Sequence, residues 1–280
     1  MQSVVTLIAG PGAEAQLRAC TPRFDVDWLA PGACDIAGVS EADARSAIGD
    51  RPIDIVAQPA AGRCKKLLIA DFESTIIENE MLEELADFLG LRGPVAEITR
   101  RAMNGEIDFV GALTERVALL RGLPERMLEA AATRIRIMPG ARALIATLHR
   151  RGVTTALVSG GFTVFAERVA AELGFDRVVA NRLDIAGGKL AGTVSPPIVT
   201  AATKHETLLS LAAELGIGLD ATLAVGDGAN DLPMLHAAGL GIAFHAKPTV
   251  AAAARWRIDH ADLTALLYAQ GYRQEEIPAI

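Results

Sequence analysis

The sequence predicts an α/β protein with a parallel sheet, helices on both sheet faces, a helical insertion after the first strand and a small N-terminal α+β domain. Short apolar runs alternate with helical stretches from residue 65 onward, which is the pattern of strand–helix units in a parallel sheet. The 280 residues are 51% hydrophobic, 4% aromatic and 22% charged, which indicates a globular chain and excludes a disordered or fibrous one. This length fits two domains, which we place at residues 1–62 and 63–280.

The first 62 residues predict a small α+β domain, either regulatory and ACT-like or only a structural appendage. A Pro- and Gly-containing stretch at 59–62 is typical of a linker and ends this domain. Its expected elements are a strand at Val4–Ile8, a short helix after Gly12, an extended stretch near Asp25–Leu29, a helix around Glu41–Ile48 and a strand at Ile53–Ala57.

The remaining chain predicts a Rossmann-like sheet. The apolar run Lys66–Ala70 is typical of a strand buried on both faces, and residues from about 78 to 138 form a helical insertion after it. The later elements are expected as a helix at Ala141–Arg151, a strand at Val153–Val158, a helix at Thr163–Leu173, a strand near Arg177–Ala180, a β-hairpin over Leu183–Val194, a helix at Thr203–Leu215, a strand at Thr222–Val225, a helix from Asp231, a strand at Gly241–Phe244 and a last strand–helix pair through Ile258–Tyr268.

Composition excludes several functional classes. Lys and Arg number 27 against 34 Asp and Glu, and a net charge of −7 argues against a nucleic-acid or membrane-surface partner. Three scattered cysteines, Cys20, Cys34 and Cys64, fit neither a disulfide framework nor a zinc site. The sequence contains no signal-peptide pattern and no apolar run long enough to span a membrane, so we expect a cytoplasmic location.

Four polar stretches follow strands of the predicted sheet, where ligands bind in such folds. Asp71, after the run KLLIA, is either a reactive carboxylate or an N-cap of the next helix. Ser159 and Gly160 offer backbone N–H groups beside a helix start, which suit an anion, or form an ordinary turn. Lys204, in the first turn of a helix, either faces that anion or is a solvated surface residue.

The fourth stretch, residues 226–231, carries the sharpest signal. It supplies two carboxylates, Asp227 and Asp231, and the amide of Asn230 in a glycine-framed loop. Paired carboxylates repel unless a cation or proton lies between them, and their oxygens are the ligands that Mg²⁺ requires. An Asx-rich turn is the alternative. Together the four stretches supply the parts of phosphoryl transfer through an aspartyl-phosphate.

In three segments, ADFESTIIENEMLEELA, VSGGF and AVGDGANDLPML, the chain resembles the phosphoserine phosphatases of the haloacid dehalogenase superfamily. The likeness runs from about residue 65 to 272, and residues 1–62 resemble the N-terminal extension of many bacterial members. It implies Mg²⁺-dependent hydrolysis of O-phospho-L-serine, the last step of serine biosynthesis. The resemblance makes Asp71 the nucleophile and Glu73 the acid–base residue. It assigns Mg²⁺ to Asp71, the Glu73 backbone carbonyl, Asp227 and Asp231, and the phosphoryl group to Ser159, Gly160, Lys204 and Asn230.

The helical insertion resembles the cap that selects the substrate in this family. By that resemblance Glu80 accepts the ammonium of phosphoserine and Arg116 binds its carboxylate, while Met103 and Phe109 form an apolar lid. From the residues alone, Glu80 and Arg116 could equally be solvated helix charges, and the two apolar residues could be core of the insertion.

One position departs from the family pattern, because Glu73 stands where the acid–base residue is normally Asp. One added methylene moves the carboxylate by roughly 1 Å, and such a misplacement can cost on the order of 10²-fold in rate. Glu73 could act normally, could work slowly with a long-lived phosphoaspartate, or could leave a protein that binds phosphoserine without useful turnover. We favour an active enzyme, because every other motif position is filled.

Two alternatives stay open beside the leading hypothesis. One is a phosphatase or phosphotransferase for another small phosphomonoester, and the other is a phosphoserine-binding regulatory protein. A P-loop kinase and a dinucleotide enzyme are disfavoured, because neither GxxxxGK[ST] nor a GxGxxG after a strand occurs. A homodimer is a guess from this sequence.

Overall fold

The computed structural model describes residues 3–103 and 106–279, apart from the side chain of Met103. Residues 3–59 form a four-stranded antiparallel sheet, in the spatial order β2-β3-β1-β4, with two helices. Its elements are β1 (Ser3–Ala9), α1 (Glu14–Cys20), β2 (Val26–Ala30), β3 (Ala33–Ala37), α2 (Glu41–Ile48) and β4 (Ile53–Pro59).

A second sheet of seven strands follows, in the order β11-β10-β9-β5-β6-β7-β8. Its pairs are parallel except for β7 and β8, which form an antiparallel hairpin at one edge. The strands are β5 (Leu67–Ala70), β6 (Thr154–Phe162), β7 (Arg177–Ala186), β8 (Lys189–Ser195), β9 (Thr222–Gly226), β10 (Leu240–Phe244) and β11 (Trp256–Ile258).

The helices fall into an insertion and a set that flanks the second sheet. The insertion contains α3 (Met81–Asp87), α4 (Arg92–Met103), α5 (Phe109–Ala118) and α6 (Arg126–Ala132). The others are α7 (Ala141–Arg150), α8 (Thr163–Leu173), α9 (Ala201–Glu214), α10 (Leu232–Ala237), α11 (Pro248–Ala253) and α12 (Ala265–Ala269).

The central strand β5 shows why helices cover both faces of this sheet. Successive side chains of a strand point to opposite faces. Leu67 and Ile69 pack into the apolar cluster that contains Leu208 of α9, while Leu68 packs into the larger cluster that contains Leu144 of α7. All residues of β5 are fully buried. The predicted α/β class, with its parallel sheet and helical insertion, is confirmed.

Three local expectations were wrong. The strand β3 was not predicted, although it pairs with both β1 and β2 after a tight turn at Pro31-Gly32. Ser159 and Gly160 lie inside β6 rather than in a turn, because β6 continues past an irregularity in its pairing with β7 between Val158 and Phe162. The predicted strand at 177–180 and the first hairpin strand are one continuous strand, β7.

The first sheet packs against the C-terminal part of the chain. Buried Asp54 of β4 accepts hydrogen bonds from the backbone N–H groups of Asp259, His260 and Ala261, at 2.8, 3.2 and 2.9 Å. Ile8 and Val56 belong to the same apolar cluster as the main core. The division at 62/63 stays a prediction, because this core continues across it. Among the described residues, no helix is both long and apolar enough to cross a bilayer.

Candidate active site

Two neighbouring strand ends bring carboxylates together. Asp71 directly follows β5 and Asp227 directly follows β9, and the Asp71 N–H donates to the carbonyl of Val225 at 2.9 Å. Since β5 and β9 are parallel neighbours, both carboxylates lie at the same sheet edge. Asp231, just before α10, completes a group whose oxygens lie within 4.8 Å of one another.

Lys204 lies beneath this group and is 1% exposed. Its Nζ is 2.6 Å from Asp71 Oδ1 and 2.6 Å from Asp231 Oδ1. Burial alone would lower the pKa of Lys204, but the two aspartates raise it above its usual value. The ammonium is therefore charged and bound to both carboxylates, and the surface alternative for Lys204 is wrong. Thr200 caps α9 one turn earlier and fixes where this lysine enters the core.

The acidic loop carries more negative charge than Lys204 offsets. Burial first, and then the charges of Asp71 and Asp231, raise the pKa of Asp227 to about 7. Burial and the charge of Asp71 raise the pKa of Asp231 to about 6, against the opposing charge of Lys204. Asp71, Asp227 and Asp231 thus offer three hard carboxylate oxygens, and Lys204 neutralises only part of their negative charge. Such a donor set fits a small divalent cation such as Mg²⁺.

The segment at the end of β6 forms the opposite wall. The Ser159 hydroxyl accepts a hydrogen bond of 2.8 Å from the N–H of Gly161. Fully buried Asn181 donates to the Gly160 carbonyl at 2.7 Å and accepts from the Val199 N–H at 2.8 Å, so one amide side chain ties the end of β6 to the loop before α9. Sequence analysis did not identify Asn181, because a single Asn in a strand gives no signal of such a role.

Glu73 lies between the nucleophile loop and the insertion. Its Oε1 accepts a hydrogen bond of 2.8 Å from the backbone N–H of Met81, the first residue of α3. Burial, followed by the charge of Glu80, raises the pKa of Glu73 to about 8, although the Met81 contact opposes that rise. At neutral pH Glu73 therefore carries a proton, which suits a general acid.

The insertion contributes Glu80, Phe109 and Arg116 to the same space. Glu80 Oε1 accepts a hydrogen bond of 2.8 Å from the hydroxyl of Ser74, which has a left-handed backbone with φ of 56°. Within residues 3–103 and 106–279, the one hydrogen bond of Arg116 runs from its Nε to the carbonyl of Ala112, at 3.2 Å, which leaves most of its donors available to a ligand. Both side chains line the space at the site, with Glu80 exposed and Arg116 half-buried, so their substrate roles stay predictions.

These groups enclose a cavity of about 180 Å³. This is below the roughly 300–1,000 Å³ of sites for drug-sized ligands, so the cavity fits a small molecule. Lys204 and Asp231 lie behind its wall, and the side chain of Met103 lies outside the described residues. The predicted residues that line the cavity are Asp71, Glu73, Glu80, Phe109, Arg116, Ser159, Gly160, Asp227 and Asn230.

One charged lining residue, Lys247, was missed in the sequence. It lies between β10 and α11, just beyond a strand end, in the stretch HAKP. The position after a parallel strand was the available signal, because Asp71 and Asp227 follow strands in the same way.

Comparisons with known proteins agree with this geometry. The haloacid dehalogenase-like hydrolase family model matches residues 68–236. The phosphoserine phosphatase of Streptomyces coelicolor is 42% identical over 250 residues, which cover 87% of this chain and 61% of that protein. The phosphoserine phosphatase of Streptococcus thermophilus is 48% identical over 199 residues, which cover 71% of this chain and 93% of that protein.

Likeness extends to solved structures. The crystal structure of a probable phosphoserine phosphatase from Vibrio cholerae is 33% identical and superposes with a TM-score of 0.81, over 96% of this chain and 86% of that one. The family model covers more than half of the chain and includes the acidic loop at 226–231. This chain is therefore a member of the haloacid dehalogenase-like hydrolase family.

Proposed function

We propose that this protein hydrolyses O-phospho-L-serine to L-serine and phosphate through an aspartyl-phosphate on Asp71. The observation that carries the proposal is a single small cavity with two unlike ends. Asp71, with Lys204 behind it and Asp227 beside it, occupies the end suited to phosphoryl transfer, while Glu80 and Arg116 occupy the end suited to an amino acid. The chain spans 61% and 54% of the length of two relatives named phosphoserine phosphatase, so their activity is proposed here for this chain.

In the first step Asp71 attacks phosphorus. Lys204 holds one oxygen of that carboxylate at 2.6 Å, which orients it. The hydroxyl of Ser159 and the N–H of Gly160, both on the wall of the cavity, would donate to the phosphoryl oxygens and offset the charge that spreads over them.

Glu73 supplies and then removes a proton. Its pKa of about 8 keeps it protonated at neutral pH, so it can protonate the serine alkoxide as that group leaves. The resulting carboxylate then takes a proton from the water that attacks the phosphoaspartate. An inactive, merely binding protein is less well supported, because a half-buried acid with a raised pKa lines the same cavity as Asp71.

Mg²⁺ is the ion that we propose for the acidic group. Asp71, Asp227 and Asp231 would hold it, together with the backbone carbonyl of Glu73. When bound, it neutralises charge on the phosphoryl group. The cytoplasmic location and the homodimer stay predictions.

Steady-state phosphate release from O-phospho-L-serine tests this function. We expect turnover with Mg²⁺ and its loss in EDTA, and we expect Asp71→Asn to be inactive. The same assay with Glu73→Asp compares the two acids. If the natural protein released no phosphate and Glu73→Asp did, the result would instead support the binding-only alternative. Faster hydrolysis of phosphomonoesters without an amino-acid group would support the alternative substrate class.

A further inference from the structure

The cavity contains a cation that the proposed mechanism does not use, Lys247. Lys204 is bound to two carboxylates, which leaves Arg116 and Lys247 as the cations among the described lining residues. Lys247 is exposed and has no ion-pair partner within the part of the chain that the structure describes. A cation without a partner at the mouth of a site can bind an anionic ligand group.

The loop before Lys247 is held firmly. His245 has a left-handed backbone, with φ of 44°, and its ring stacks on Phe244 at 4.1 Å. Its backbone N–H donates to the Ile258 carbonyl at 2.8 Å, and its Nε2 lies 2.9 Å from the Ala261 carbonyl oxygen. Such a backbone in a non-glycine residue persists only where neighbouring contacts require it, and it occurs often at ligand sites.

Lys247 shares one small cavity with both ends of the site. Glu80 of the insertion and Asp227 of the acidic loop line the same space of about 180 Å³ as Lys247. A flexible lysine stem at the mouth can reach a ligand group that lies between these ends.

We propose that Lys247 binds the carboxylate of the phosphoamino acid together with Arg116, and so selects substrates with a second anionic group. The phosphoryl end already has Lys204 and the backbone donors of the β6 segment, whereas the carboxylate has only Arg116 among the described cations. This inference rests on the proposed function and adds a residue to it.

The test compares two substrates that differ in the carboxylate alone. O-phospho-L-serine and O-phosphoethanolamine share the phosphate and the ammonium. For Lys247→Met, we expect the KM for phosphoserine to rise about tenfold, as for loss of one hydrogen bond between charged groups, with kcat within about twofold. The KM for phosphoethanolamine should stay unchanged. Lys247→Arg should restore the phosphoserine KM, and Lys189→Met, an exposed lysine on β8, should change neither substrate.

Several results would overturn this assignment. An equal KM rise for both substrates would mean that Lys247 binds the phosphoryl group or only screens the carboxylates, and no change for either would mean that it binds nothing. A wild-type protein without phosphoserine turnover would instead contradict the proposed function. In that case calorimetry of both ligands with Asp71→Asn and Asp71→Asn/Lys247→Met decides the carboxylate contact by binding alone.

Discussion

Glu73 Oε1 accepts a hydrogen bond from the backbone N–H of Met81 across 2.8 Å, so the proposed acid–base residue is tied to the first helix of the insertion. Its other oxygen points toward the β6 segment, where a Cβ added at Gly161 would lie 2.7 Å from Glu73 Oε2. The longer acid therefore has a defined place, with a helix start on one side and a glycine on the other.

We predict that Gly161→Ala lowers kcat for phosphoserine by about 10²-fold, because the new methyl group displaces the Glu73 carboxylate by roughly 1 Å. The shorter acid in Gly161→Ala/Glu73→Asp should recover at least part of that loss. Steady-state kinetics of the four proteins in this cycle measure the coupling. Gly93→Ala, in α4 where a methyl group meets no atom within 4 Å, is the matched control. Additive effects in the cycle would contradict the steric explanation.

The pH dependence follows from the raised pKa of Glu73, about 8. Glu73 carries its proton below this pH and loses it as the pH rises, so the step that protonates the leaving alkoxide slows above about pH 8. We expect kcat/KM to fall tenfold per pH unit on that limb, and we expect Glu73→Asp to shift the limb. Glu167→Gln, an exposed position on α8, should leave the profile unchanged. A flat profile to pH 9.5 would rule out Glu73 as the acid.

Removal of Lys204 should affect both rate and stability. Lys204→Met deletes the ammonium that Asp71 and Asp231 share, and we expect kcat to fall by at least about 10²-fold, as for loss of a preorganised charge contact. The two carboxylates then repel each other, so the pKa of Asp231 rises further. A carboxylate with a raised folded-state pKa loses stability as pH increases, so Tm should drop more at pH 8 than at pH 5.

Thermal melts of Lys204→Met at these two pH values, without added metal, measure that difference. Lys66→Met, at an exposed lysine, serves as the control. A Tm decrease that is the same at both pH values would contradict the charge explanation.

Asp54 supports the packing of the first sheet on the C-terminal segment. Asp54→Ala leaves three backbone N–H groups, at residues 259–261, without their acceptor. We expect the free energy of unfolding to fall by about 1–3 kcal/mol, since the N–H of Ala261 is the buried donor of the three and one unsatisfied buried donor costs about that much. Urea denaturation of this variant and of Asp50→Ala, at an exposed position, measures the difference. A loss below 1 kcal/mol, as expected for a surface change, would contradict this role.

The sequence predicted the sites that depend on short patterns. Asp71 and Asp227 were identified because each follows an apolar run, and parallel strands bring such ends together. The state of Lys204 was not predictable in this way, since its burial depends on Asp71, which lies 133 residues away in the chain. Asn181 was missed for the same reason, because its two partners, Gly160 and Val199, lie in segments 21 and 18 residues away in the chain.

Strand β3 and the extended β6 were missed for different reasons. The Pro31-Gly32 turn is a local signal for the hairpin of β2 and β3, and the residues ACDIA of β3 follow it directly and also pair with β1. In β6, the Ser-Gly-Gly stretch has weak strand propensity, but its neighbours hold it extended. Tertiary contacts override local preference in β6.

Residues 258–261 contact both the first sheet and the loop that leads to Lys247. On one side they bind the Asp54 carboxylate through three N–H groups, and on the other the carbonyl oxygens of Ile258 and Ala261 anchor His245, two residues before Lys247. These contacts connect Asp54 of the first sheet, through residues 258–261, to the loop that carries the cavity residue Lys247. Removing residues 1–62 would delete the Asp54 carboxylate that binds these N–H groups, and so would loosen the segment to which His245, just before the cavity residue Lys247, is hydrogen-bonded.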